Sequence, residues 1–226
     1  MSGKFLKQVK TKAPAEAVDL ITAAQFLKDN ARKTFLETIE LHVHLGVNAS
    51  KSDQMVRGSV VLPGGAPKQK RIAVITNDAK VAAAAKEAGA AIVGGDDLIE
   101  QIAKENKLDT DVTIATPDMM PKIAKVARIL GPQGLMPNPK TGTVTPDPAS
   151  AIQELAGGKL SFKMDQQGNI HEAVGKADWE TDKIVANAQA LIDAIRQNRP
   201  ATAKGELIKR VTLSSSMGPG IKVSLS

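Results

Sequence analysis

Apolar and polar residues alternate along TIELHVHLGV, residues 38–47. Ile39, Leu41, Val43, Leu45 and Val47 are separated by Thr38, Glu40, His42 and His44. A period of two is that of a strand with one buried and one solvated face. A second β run, MVRGSVVL, follows at 55–62 and ends in the turn-forming PGGAPK of residues 63–68. Towards the C-terminus the same alternation returns in KLSFKM, where Leu160, Phe162 and Met164 interleave with Lys159, Ser161 and Lys163. A QQGN turn then leads into IHEAVGK, so these two runs predict a β-hairpin. The chain finishes with GELIKRVTLSSSMGPGIKVSLS, two β runs joined by a Ser/Gly/Pro corner. Two helices accompany these strands. Thr22 followed by Gln25 predicts a capping box opening AAQFLKDNAR. Ile184, Val185, Ala188, Leu191, Ile192 and Ile195 recur at helical spacing and predict an amphipathic helix that stops before Pro200.

Between residues 68 and 158 the pattern changes. RIAVIT, AAIV and DVTIA are short apolar runs, separated by an alanine-rich helical stretch from about Asp78 to Ala88 and a second, opened by GGDD, to about Lys104. TPDMMPKIAKVARIL predicts a further helix, and PASAIQELA another that closes at Gly157-Gly158. Strands alternating with helices at this spacing imply a small parallel, doubly wound sheet. The expected fold class is therefore α/β plus α+β. A discontinuous antiparallel α+β domain, residues 1–67 plus 159–226, would carry an inserted Rossmann-like three-layer α/β domain, residues 68–158. PGGAPK and the GGK at 157–159 would then lie side by side as a two-stranded hinge.

The charge map sharpens this division. Of a net +6, residues 1–67 contribute +3, residues 68–158 are neutral and residues 159–226 contribute +3. The two basic ends would form one surface, and its partner would be a polyanion. With four Phe, one Trp and no Tyr, the chain can hardly build an aromatic platform for stacking single-stranded bases. An RNA partner would instead be read by folded shape, phosphates and 2′-hydroxyls. No apolar run approaches the roughly 20 residues needed to span a bilayer, and MSGKFLKQVKTKAPAE has no apolar h-region, so a cytoplasmic protein with no membrane partner is expected.

Enzyme chemistry finds little support. The TNDAK junction after RIAVIT lacks a phosphate-cradling glycine loop, and the carboxylates of GGDD would repel phosphate. There is no cysteine nucleophile, and Ser214, Ser215 and Ser216 do not form a nucleophile elbow. Glu40, His42 and His44 share one strand face with metal-ligand spacing, but a polar outer sheet face is the simpler account, and neither metal nor cofactor is expected. Two stretches stay open on composition alone. SSSMGPG offers hydroxyls, close backbone approach and one apolar wedge suited to a sugar-phosphate surface, or is an ordinary β turn. RILGPQGLMPNPKTGTVTP, residues 128–146, lies in an acid-free stretch with Lys122, Lys125, Arg128 and Lys140; it would touch phosphates or pack as a proline-stiffened plug.

GPQGLMPNPKTGTV resembles the signature of the L-one family of large-subunit ribosomal proteins. SDQMVRGSVVLP, ATPDMM, IHEAVGK and SSSMGPGIKV resemble that family's segments in the same order. The resemblance implies a non-enzymatic protein, monomeric when free, that binds a folded region of large-subunit rRNA as part of the mobile side stalk near the E site. It implies assistance in release of deacylated E-site tRNA, contact with other ribosomal components, and repression of translation through binding to its own operon mRNA. The implied rRNA-binding residues are Phe35 and Thr38 before the first strand, Lys163, His171, Gly175 and Lys176 on the hairpin, and Ser216, Met217, Gly218 and Pro219 at the last corner. Arg128 and Lys140 would make a secondary RNA contact. The family commonly has threonine where this chain has Ser214, Ser215 and Ser216; serine keeps the hydroxyl but loses the stiffness of β-branching.

Overall fold

The computed structural model describes residues 2–47, 52–68, 70–105, 107–203 and 205–224. Helices α1 (Ser2–Lys12) and α2 (Leu20–Asp29) precede strands β1 (Thr38–Leu45) and β2 (Arg57–Val61). Then follow β3 (Ile72–Ile75), α3 (Ala79–Glu87), β4 (Ile92–Gly94), α4 (Asp96–Glu105) and β5 (Val112–Ala115). Short helices α5 (Met120–Ile123) and α6 (Ala127–Leu130) lead to α7 (Pro148–Ala156), β6 (Lys159–Lys163) and β7 (Asn169–Lys176). Helix α8 (Thr181–Gln197) and strands β8 (Ile208–Ser215) and β9 (Ile221–Val223) complete the order. The chain divides into two compact units, Met1–Pro67 with Gly158–Ser226, and Lys68–Gly157.

In the first unit, β7, β1, β8 and β9 form a four-stranded antiparallel sheet in that order. Along β1 every second residue is buried, so Ile39, Leu41, Val43 and Leu45 face a core completed by Ala23, Ala24 and Leu27 of α2 and by Ile184, Ala188, Leu191, Ile192 and Ile195 of α8. The apolar stripe of α8 covers one sheet face, leaving the other to solvent. Asn187, fully buried on α8, accepts the Gly64 N–H at 2.7 Å and donates to the Val174 carbonyl at 2.8 Å. It ties the turn after β2 to the sheet.

Several expectations are corrected here. KLSFKM and IHEAVGK do not make a paired hairpin: β6 pairs with β2 in a separate two-stranded sheet, and β7 pairs with β1. The turn between them closes with Asp165 N–H to Asn169 O at 2.8 Å, but β2 and β1 compete for the flanking strands and each takes one. Asp19, not Thr22, caps α2: its carboxylate accepts the Thr22 N–H at 3.3 Å, so Thr22 supplies the donor of the cap rather than the acceptor. The basic N-terminal tail is helical over Ser2–Lys12, with Val9 buried beneath it.

In the second unit, β4, β3 and β5 form a parallel sheet. Its two faces are both covered. Ala73, Ile75 and Ala115 meet Leu98, Ile99 and Ile102 of α4, while Ile72, Val74, Val112 and Ile114 meet Ala85 of α3 and Ala151, Ile152 and Leu155 of α7. The single helix expected over 116–130 is broken into the α5 and α6 turns and two 3₁₀ turns. Pro121 supplies no backbone N–H, and Val126 at φ −102°, ψ 8° leaves helical geometry. Met119, Ile123, Val126 and Leu130 still fall on one buried stripe.

Candidate nucleic-acid interface

The polar face of the four-stranded sheet is assembled by register. Strand β1 sets His42 opposite His171 of β7 and Thr212 of β8, His44 opposite Asn169 and Arg210, and Glu40 opposite Ser214. Lys222 of β9 lies beside Thr212. His42, His44, Asn169, His171, Arg210, Thr212, Gly220 and Lys222 line a shallow concavity of about 330 Å³. The sequence spacing announces only His42 and His44 of this group, because the others come from three further strands and the β8–β9 corner.

Hydrogen bonds order the face. His42 Nδ1 lies 2.7 Å from His171 Nδ1, the rings meeting edge-on at 61°, and His42 Nε2 lies 2.8 Å from Ser214 Oγ. His171 Nε2 stands 3.4 Å from Asp165 Oδ2. His44 Nδ1 lies 2.8 Å from Asn169 Oδ1. Burial, with the neighbouring His171 adding to it, pulls the His42 pKa below the usual histidine value, and Glu40 opposes them. Burial disfavours charge on Asp165, but backbone N–H donors of Asn169 and Gln167, the Asn169 amide and His171 together hold its carboxyl below the ordinary aspartate value.

At the end of the sheet near Thr38, some of the residues implied by resemblance come together, while His171 lies further along opposite His42. Thr38 opens β1 rather than preceding it, and its backbone N–H donates to Ser216 Oγ at 3.1 Å. The Ser216 N–H returns a bond to Thr38 O at 3.0 Å. Lys176 lies opposite Thr38. Phe35 is 46% exposed, a large apolar side chain offered to solvent beside this edge of the chain, while Ser216 is exposed and Met217 and Gly218 are half-buried. Two of the implied contacts are buried instead. A Cβ on Gly175 would come within 2.8 Å of Ile184 Cγ1, so this glycine lets β7 pack closely on α8. Pro219 is likewise buried, and both shape the surface from beneath. Lys163, exposed, belongs to the β2–β6 sheet rather than to a hairpin with His171.

Sequence reasoning missed Glu37. Only 1% exposed, it accepts the Arg32 N–H at 2.9 Å and the Met217 N–H at 3.4 Å, and its carbonyl accepts the Ala177 N–H at 2.9 Å. One carboxylate thus ties the loop carrying Phe35 to the Met217 corner, with the end of β7 held to its backbone. A lone charged residue next to an exposed Phe-Leu pair gives no sign of this in the sequence.

The family model of the "Ribosomal protein L1p/L10e family" matches residues 27–219. The chain belongs to this family. Among curated proteins it is 47% identical over 221 residues to a "Large ribosomal subunit protein uL1" of Corynebacterium diphtheriae, covering 95% of this chain and 93% of that protein. A protein of the same name from Persephonella marina is 45% identical over 225 residues, 98% of this chain and 93% of that one. Another, from Mycoplasma capricolum, is 44% identical over 223 residues, 99% and 98% of the two chains. The family is one of ribosomal proteins, not of enzymes.

The family's proline-glycine stretch at 128–146 lies wholly in the second unit. Much of it packs internally. Leu135 and Thr143 are buried, Thr143 Oγ accepts the Asn138 N–H at 2.7 Å, and Thr145 donates its N–H to Ala115 O at 3.1 Å beside β5. Arg128 is exposed; the Lys140 side chain lies outside those described. Among the described residues, no His/Asp/Glu group of three or more could hold a metal ion, and no helix is long and apolar enough to cross a membrane.

Proposed function

We propose that this ribosomal protein binds a folded region of large-subunit rRNA through the open face of its four-stranded sheet. The observation that carries the reading is that face itself: His42, His44, His171, Arg210 and Lys222 on one surface with the Thr212 hydroxyl among them. Cations neutralise phosphates, hydroxyls and imidazoles pair with 2′-hydroxyls, and Phe35 and Met217 pack on ribose or base. The first unit is the discontinuous RNA-binding domain and the second an inserted domain with a secondary RNA contact through Arg128 or Lys140. Relatives named as large-subunit proteins support a cytoplasmic place in that subunit, in contact with other ribosomal components.

The resemblance extends the reading to the mobile side stalk near the E site, with assistance in release of deacylated tRNA. It also extends to a similar fold on the protein's own operon mRNA, whose occupation would repress translation. The decisive experiment compares a stalk-sized rRNA fragment with an unrelated hairpin of equal length at moderate salt. Preferential binding of the stalk fragment, weakening as salt rises, is the expected result. Equal affinity for the two would sink the reading. Met217→Asp should bind severely more weakly while keeping its circular dichroism, because it sets a carboxylate against RNA; wild-type affinity there would remove the corner from the interface.

A further inference from the structure

Asp165, His171, His42 and Ser214 form one chain of polar contacts across the turn before β7, β7 itself, β1 and β8: a 3.4 Å carboxylate–imidazole contact, then hydrogen bonds of 2.7 and 2.8 Å. A carboxylate only accepts, so the hydrogen facing Asp165 sits on His171 Nε2. In the neutral ring His171 Nδ1 is then the acceptor, and the 2.7 Å contact requires the hydrogen to be on His42 Nδ1. His42 Nε2 is left as an acceptor, and the hydrogen at the last link belongs to Ser214 Oγ. Every donor in the chain points the same way, from serine to aspartate.

We infer that this polarised chain commits the Ser214 hydroxyl to His42 and so presents only its lone pairs to a ligand, making Ser214 a selective acceptor for a 2′-hydroxyl donor. The inference rests on the reading of this face as the RNA surface. Uptake of one proton reverses the polarity. The Nδ1 hydrogen crosses to His171, the incoming proton is held at His42 Nε2, and Ser214 now accepts from the ring, freeing its hydroxyl to donate to a phosphate oxygen. The net charge then rests on the ring beside Asp165. The other charged or titratable groups facing the pair are Glu40 and His44 on β1, Lys176 on β7, Arg210 on β8 and Lys222 on β9. Glu40 Oε2 is 4.0 Å from His42 Nε2 and favours the reversed state.

Two measurements on the full chain test this. Ring nitrogen–proton correlation spectra near neutral pH should show His42 as the Nδ1–H tautomer and His171 as the Nε2–H tautomer; His42 as Nε2–H would overturn the inference without RNA being involved. Second, rRNA stalk fragments carrying single 2′-deoxy substitutions should lose about two- to tenfold affinity for wild type at one position, the range of one net hydrogen bond. Ser214→Ala should show no such loss at that position, and Ser214→Thr should restore it. If wild type binds the stalk fragment but Ser214→Ala keeps the same deoxy sensitivity everywhere, the chain has no reading role. If wild type does not prefer the stalk fragment, the RNA reading fails, and the tautomer result still stands or falls separately.

Discussion

The two sheets of this protein solve burial in opposite ways. In β3 and β5 every residue is buried, because helices lie on both faces of the parallel sheet. In β1 only alternate residues are, because α2 and α8 cover one face. A sheet closed on both sides has no surface left for recognition, and its function must lie at loops and edges. The half-covered sheet keeps a face on which side chains from four strands stand at the spacing of the ladder. The chemistry of the first unit therefore belongs to strands, and rigid backbone pairing rather than loop geometry holds it in place.

The sharpest way to break this contrast is a charge placed on either side of β1. Val43→Asp should unfold the first unit, at a cost above about 4 kcal/mol for an unpaired buried carboxylate, whereas His44→Asp next to it should cost less than about 1 kcal/mol. Urea titration followed by circular dichroism separates them, and equal losses would mean that the two faces are not distinct. Glu37→Ala comes next. It removes the carboxylate that accepts the Arg32 and Met217 N–H groups, and a loss of about 2–3 kcal/mol is expected, read as a lowered denaturation midpoint. An unchanged midpoint would show that Glu37 does not tie the loop to the corner.

Smaller still is Lys222→Ala on the open face. Stability should stay within about 0.5 kcal/mol of wild type, while the slope of log affinity against log salt for the rRNA fragment falls by about one contact. A lost affinity with an unchanged slope would place Lys222 away from phosphate. The smallest effect is in pH. His42 has its folded pKa pulled below its ordinary 6.5, so its stability contribution is full above that value and declines as pH falls through it. In the second unit the lowered groups are carboxylates, Asp96 held by Lys122, Asp109 by Arg71 and Asp111 by Arg71 and Lys68, whose contributions persist until pH falls below their ordinary 3.8. Acid titration watched by amide exchange should thus loosen the first unit earlier. Simultaneous loosening would argue against the His42 assignment.

Strong local periodicity was readable wherever one contact face dominates. The alternation of Ile39, Leu41, Val43 and Leu45 marks a strand because a pleated backbone turns every second side chain to the core. Asp78 and Asp147 sit where caps of the following helices are needed, and both accept helix N–H bonds. Less readable were the places where partners compete. Nothing in KLSFKM or IHEAVGK says that β6 will prefer β2 while β7 prefers β1, since strand pairing is decided by the free energy of the whole sheet. Phe5, Leu6 and Val9 are the apolar residues of the basic Ser2–Lys12 segment, too short a pattern to reveal a helix in the sequence. Within 116–130 the apolar spacing is helical, and only Pro121 hints that the helix is broken.

The candidate interface shows the same boundary at finer scale. The serine-rich corner stood out by composition, and resemblance placed Phe35, Lys163, His171 and Lys176 with it. What the sequence by itself determined was the family, the alternation that leaves β1 with a polar face, and the charge at both ends of the chain, because each is carried by residues close together or by composition. Tertiary structure alone decided that His42, His171 and Ser214 meet, across separations of 129 and 172 residues. It also buried Glu37 and Gly175. Strand order and register are cooperative properties of the folded sheet, and a side chain's neighbours on an adjacent strand have no local trace in the chain that encodes them.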